Sequence, residues 1–342
     1  MLARPLTFLG LGLALATATF AATATQTSST MSAVAAPATP SKVLGNQTCV
    51  KCHANEVRVW EATPHARTFD ELHRRPEAKQ IASKLGLKSI KHDGRCVNCH
   101  YTQQTDVAGA PHAIAGVSCE SCHGAAKDWL DLHHNYGGEN ITRLTESPEH
   151  RASRIASSVA AGMRNPENVF SVAQSCLRCH TTADEELVNV GGHTAGSLDF
   201  EFVAWSQGKV RHNFVRSDGK SNEASSPERT RVMFVAGMIA ELEASLRATA
   251  IATQKATYGV TAAKRTARTA ARLKSVAAKV DAPILDDIMA AFGSVTLKLN
   301  NQAQLTAAAD KIAQLGYQFA EQTDGTTLSA LDSFIPKSDR WK

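Results

Sequence analysis

Four short stretches decide the reading of this chain: Cys49-Val-Lys-Cys52-His53, Cys96-Val-Asn-Cys99-His100, Cys119-Glu-Ser-Cys122-His123 and Cys176-Leu-Arg-Cys179-His180. In each, two cysteines stand two residues apart and a histidine follows at once. The four copies use all 8 cysteines of the 342-residue chain. This is the attachment motif for c-type haem. Two thiols add to the vinyl groups as thioethers, and the adjacent imidazole reaches the iron as its proximal ligand. Zinc sites of four thiolates would use the same cysteines but leave the four histidines unexplained. A thioredoxin-type dithiol normally occurs once, on a βαβ unit. The spacing therefore predicts four covalently attached haem c groups, with His53, His100, His123 and His180 as proximal iron ligands.

The distribution of residues predicts four segments. Residues 1–24 read as a secretory signal: Arg4, then an apolar stretch from Leu6 to Phe20, then Ala22-Thr23-Ala24, with cleavage after Ala24. Residues 25–44, rich in Ala, Thr, Ser and Pro, read as a disordered leader. Residues 45–225 hold every cysteine and every histidine, and residues 226–342 form an Ala-rich domain with neither. Export to the periplasm or beyond makes disulfides the default use of cysteine, but the motifs claim every thiol. Aromatic residues are only 6% of the chain, thin for a core built from side chains alone. Four macrocycles within residues 45–214 must then supply much of the core and pack closely against one another.

The expected fold class is mostly α: a multihaem cytochrome c domain with four closely packed haems, then an α-helical hairpin or bundle. No β-rich segment of any length is expected. Residues 54–60 continue the first motif as a helix, and Pro64 starts the next, with His65 in its first turn. Beyond Ser226-Pro227-Glu228, an N-cap followed by Pro and an acidic first turn, Val235, Ile239, Leu242 and Leu246 recur at helical spacing. A second helix runs through 270–280. Ile284, Ile288, Phe292 and Val295 mark a third, and Leu305, Ile312, Leu315 and Phe319 a fourth. Between 251 and 280 lie seven basic residues and no acidic one: Lys255, Lys264, Arg265, Arg268, Arg272, Lys274 and Lys279. The functional reading of helix 255–279 is a docking face for an acidic redox partner; a solvated face is the plainer one.

The string from Cys49 through Trp60 to Thr63-Pro64-His65-Ala66, with Gly116-Val-Ser-Cys119-Glu-Ser-Cys122-His123-Gly124, resembles the tetrahaem cytochrome c-554 family over about residues 45–214. The resemblance implies three haems with two histidine ligands and a second haem that is five-coordinate. Its distal histidines fall twelve residues after the first proximal one, ten after the third and about thirty-two after the fourth. Here these are His65, His133 and His212. Which of them serves which haem stays open, and His134 is an alternative to His133. His112, His92 or His193 would be the residue to close the haem on His100. Arg95 and Tyr101 flank that motif and would be its charge clamp or proton donor, although a solvated Arg and a packed Tyr are the ordinary roles.

The function expected is an exported tetrahaem c-type cytochrome relaying electrons between periplasmic redox proteins. The resemblance implies a setting in nitrogen-oxide or hydroxylamine metabolism. Two rivals are an enzyme reducing a small nitrogen oxide at the His100 haem, and a polymerising extracellular conductor. The formal charge of +5 does not call for nucleic acid. Residues 228–342 hold 15 basic and 11 acidic side chains, while each ferric haem with two ionised propionates adds about −1 to the other half.

Overall fold

Caps and prolines set the helix starts. The computed structural model describes Met1 and residues 36–342; the expected signal and most of the leader lie outside the described residues. The motif region is a string of mostly short helices: α1 (Asn46–Cys49), α2 (Ala54–Glu61), α3 (Pro64–Glu71), α4 (Pro76–Lys84), α5 (Gly94–His100), α6 (Cys119–His123), α7 (Leu130–His133), α8 (Pro148–Ala160), α9 (Val169–His180), α10 (Glu185–Asn189) and α11 (Phe202–Ser206). Thr63 caps α3, its hydroxyl accepting from the Ala66 N–H at 3.3 Å, and Pro64 needs no donor in that first turn. Ser147, Asn168 and Ser226 cap the longer α8, α9 and the first C-terminal helix in the same way.

Four long helices follow: α12 (Pro227–Ala250), α13 (Thr257–Ala277), α14 (Pro283–Gly293) and α15 (Gln302–Gln322). They form the expected bundle, although α13 starts well before residue 270. α12 is its axle. Val235, Ile239, Leu242 and Leu246 are fully buried, and so are residues on its other faces, as for a helix surrounded by partners. α13, α15 and α9 pack against it.

Three features stand beside these expectations. First, residues 226–342 pack together with the motif region. Residues 36–342 lie in one compact unit, and Phe170 and Leu177 of α9 share a core with Ile239 and Phe319. The composition changes at residue 226 because cysteine and histidine stop before it, while the core continues across it. Second, the leader does not reach residue 44. Pro40–Lys42 forms a 3-10 turn, Val43 is buried, and the Lys127 N–H donates to the Lys42 carbonyl at 3.0 Å. Third, a short antiparallel hairpin joins β1 (Thr102–Thr105) to β2 (Pro111–Ala115), with Gln104 opposite His112. Among the described residues, no helix is long and apolar enough to cross a membrane.

The junction between the two halves is tight at Gly316 on α15. A Cβ there would lie 2.3 Å from Cε2 of Phe170 on α9. Gly316→Ala should therefore cost about 1–3 kcal/mol by overpacking. Thermal denaturation should show a lower midpoint, and the haem content per folded chain should not change.

Candidate haem-binding centre

Three of the motifs close a helix on their histidine, and the first lies between two helices. α5, α6 and α9 close on His100, His123 and His180; His53 follows α1 and precedes α2. The thiols of different motifs are neighbours. Cys49 lies beside Cys119, and Cys99 beside Cys179. None of the eight cysteines is paired in a disulfide.

Each motif histidine faces a histidine from outside the motifs. His53 faces His133 with ring centres 6.3 Å apart, and His65 faces His180 at 6.2 Å. His100 faces His193 at 6.2 Å, and His123 faces His212 at 6.1 Å. Other ring pairs lie closer, as with His180 and Phe200 at 5.0 Å or Trp129 and His133 at 5.2 Å, while Phe69 and Tyr101 pack edge to face at 6.5 Å. Two imidazoles gripping one metal from opposite sides, each nitrogen about 2 Å from it, have ring centres about 6 Å apart. The four gaps fit that separation.

The other ring nitrogen is held in most of these residues. Nδ1 pairs with a backbone carbonyl in His123 (Arg164, 3.3 Å), His133 (Leu130), His193 (Thr194, 2.8 Å) and His212 (Val210, 2.6 Å). In His180 it pairs with the Ser197 hydroxyl at 2.9 Å. A hydrogen bond at Nδ1 fixes the tautomer and leaves Nε2 as the donor to a metal. Burial pushes His100, His123 and His180 down to about 4, which keeps them neutral, as ligation requires. His134 competes for the same Leu130 carbonyl but is exposed; the ring that faces His53 belongs to His133.

The Gly116–Gly124 stretch is dictated by backbone proximity. The Val117 N–H donates to the His65 carbonyl at 3.1 Å, and a Cβ on Gly116 would lie 2.2 Å from that same oxygen. Thr68 donates to the His100 carbonyl at 2.9 Å, so α3 is tied to the second and third motifs at once. Between the cysteines of the third motif, the buried Glu120 carboxylate accepts from the N–H groups of Leu44, Gly45 and Ala126 at 2.7–2.9 Å. Leaving those donors unpaired would cost about 1–3 kcal/mol each. Glu120 thus locks the first motif to the third, which spacing alone did not reveal.

Residues 48–124 match the protein-family model described as cytochrome c554 and c-prime. Over 115 residues the chain is 32% identical to cytochrome c-554 of Nitrosomonas europaea. Residues 48–124 are thus similar to the cytochrome c554 family of c-type cytochromes. The aligned part is 32% of this chain and 49% of the relative, so the chain spans about half the length of that protein. Over 136 residues it is 26% identical to the C-type polyheme cytochrome OmcB of Geobacter sulfurreducens, covering 34% of this chain and 18% of that one. No solved structure matches. The cytochrome c554 likeness supports covalent haem c and multihaem electron transfer. Residues 125–342, with the fourth motif, lie beyond the family match.

The residues present also fit the carboxylate edge of a haem. Several buried donors lack a protein partner: Nη2 of Arg265, and Nε1 of Trp205 and Trp129. Arg265 donates Nη1 to the His180 carbonyl at 3.0 Å, Trp205 packs on the His180 ring, and Trp129 packs on His133. Unpaired buried donors at such places suit propionate oxygens. Among the described residues, no three His, Cys, Asp or Glu side chains gather as a bare ion would need. A haem iron takes four ligands from the porphyrin, so one or two protein side chains would complete it. Arg95 is engaged elsewhere, with Asp184 at 3.2 Å and Glu186 at 2.8 Å, and Tyr101 is buried against Phe69.

His133 is buttressed by a charged clamp. Arg154 donates Nη1 to the His133 carbonyl at 2.7 Å and grips Glu146 through Nε and Nη2 at 2.7 and 2.6 Å. Arg154, followed by the bond from His150, pulls the Glu146 carboxyl down to about 2. A depressed carboxyl stabilises the fold above its unfolded value near 4.5, and that contribution fades as pH falls through about 2. Glu146→Gln should be less stable at neutral pH. In denaturant titrations its deficit relative to the parent chain should shrink steadily from about pH 4.5 towards pH 2.

Proposed function

We propose that this chain is an exported tetrahaem cytochrome c that relays electrons between redox proteins of the periplasm. Four matched histidine gaps carry the reading. The haem iron supplies one-electron exchange when bound. The chain's own residues attach, orient and shield it: cysteine pairs 49/52, 96/99, 119/122 and 176/179 anchor each group, and His53, His100, His123 and His180 ligate from the proximal side. His133 stands opposite His53, His212 opposite His123 and His65 opposite His180. Each is its partner's distal ligand in this reading.

Contacts between motifs support an order of transfer. The first and third motifs touch through Cys49 and Cys119. The third and fourth are joined by the Ser175 hydroxyl donating to the Cys122 carbonyl at 3.0 Å. The fourth and second touch through Cys179 and Cys99, and Arg178 donates to the Asn98 carbonyl at 2.7 Å. The relay then runs first, third, fourth, second, which differs from chain order. Its ends are the haems on His53 and His100, where partners would dock.

The basic helix is a narrower docking face than its sequence suggests. Arg265 is buried on Glu241 at 2.9 Å, and Arg268 and Arg272 lean towards the same carboxylate at 3.8 and 3.9 Å. Lys255, Lys264, Lys274 and Lys279 remain exposed to meet an acidic partner. Hydroxylamine or nitrogen-oxide metabolism as the setting rests on the family resemblance alone.

The reading is tested by haem counting. The purified chain should carry four haems that reduce reversibly and exchange electrons rapidly with a small soluble redox protein. Cys99→Ser should remove one haem's absorbance. A chain that holds fewer than four, or whose haem content is unchanged by that substitution, would contradict it.

A further inference from the structure

We propose that His193 is the sixth ligand of the iron bound by His100, so that the second haem is closed rather than five-coordinate. The inference rests on the tetrahaem reading. It departs from what the family resemblance implies for that haem. Three independent features of the loop support it.

The first is the gap itself. His100 and His193 stand 6.2 Å apart with planes tilted by 51°, nearly the same as His65 and His180 at 6.2 Å and 52°. His92 is exposed, and His112 lies on β2 opposite Gln104.

The second is the presentation of the ring. His193 holds Nδ1 on the Thr194 carbonyl at 2.8 Å, as His133 and His212 hold theirs on nearby carbonyls. Nε2 is left for the metal. The reversal that aims the ring needs Gly191 and Gly192. A Cβ on Gly191 would lie 2.5 Å from the Leu187 carbonyl, and Gly192 has φ +79°. The His193 N–H then returns to the Leu187 carbonyl at 3.1 Å.

The third is that the loop is anchored from two sides. Arg95, inside the helix of the second motif, pairs with Asp184 and Glu186 at the start of α10. From the other side, Glu185 accepts from the Thr253 N–H and hydroxyl at 2.9 and 2.7 Å and from the Gln254 N–H at 3.1 Å. Asn189 accepts from the Tyr258 N–H at 2.9 Å. The turn between α12 and α13 therefore fixes α10, the helix that leads into the His193 loop. A role follows for the C-terminal bundle: it holds the second haem shut, so that this haem passes electrons instead of binding small nitrogen oxides.

The test uses the full-length, haem-loaded chain, with haem content measured first. Fewer than four haems in the parent chain would refute the tetrahaem reading. With four present, electron paramagnetic resonance and nitric oxide binding read the coordination. The parent chain should be low-spin throughout and bind no nitric oxide. His193→Gly should turn about a quarter of the haem high-spin and bind one nitric oxide per chain, and added imidazole should restore the low-spin state. If His193→Gly fails to fold, His193→Met should raise the potential of one haem and leave the others in place. His92→Ala and His112→Ala should change neither spectrum. A high-spin haem already present in the parent chain, or low-spin spectra untouched by the His193 variants, would overturn the proposal.

Discussion

The structure turns on a fixed separation between imidazole rings. Four pairs of histidines stand with ring centres 6.1–6.3 Å apart, the separation two imidazoles would have on opposite sides of one metal ion. Holding two side chains at that distance, four times over, demands stiff backbone on both sides of each gap. His100, His123 and His180 end helices, and His133, His193 and His212 are tied down through Nδ1. Other features serve the same end: the Glu120 carboxylate, the Arg164 side chain donating to the Ser121 and Cys122 carbonyls at 3.0 and 2.8 Å, and the Arg154–Glu146 clamp.

The pairings cross the sequence. His65 sits twelve residues after the first motif, yet it faces the fourth. His133 follows the third motif and faces the first. No motif region completes a histidine pair on its own. This also explains why neighbouring motifs make contact out of chain order.

The attachment motifs are legible in the sequence, because their chemistry depends on spacing within five residues. The long helices α12, α14 and α15 were legible from apolar periodicity. The pairing of ligands was not, since it depends on contacts between segments tens of residues apart. His193 showed no local signal beyond a Gly-Gly turn before it. Glu120, Arg154 and Arg265 were equally silent: a charged residue inside a core looks in sequence like one on a surface. The basic run at 255–279 was read as a single face, yet Arg265 points inward to Glu241. The hairpin at β1 and β2 was missed because its strands are only four and five residues long.

The central claim is that four iron atoms lie in the four histidine gaps. Diffraction from crystals of the haem-loaded chain at the iron absorption edge tests it most directly. The account predicts four anomalous peaks, each midway between the rings of His53 and His133, His65 and His180, His100 and His193, and His123 and His212. A missing peak, or one flanked by a single histidine, would contradict it.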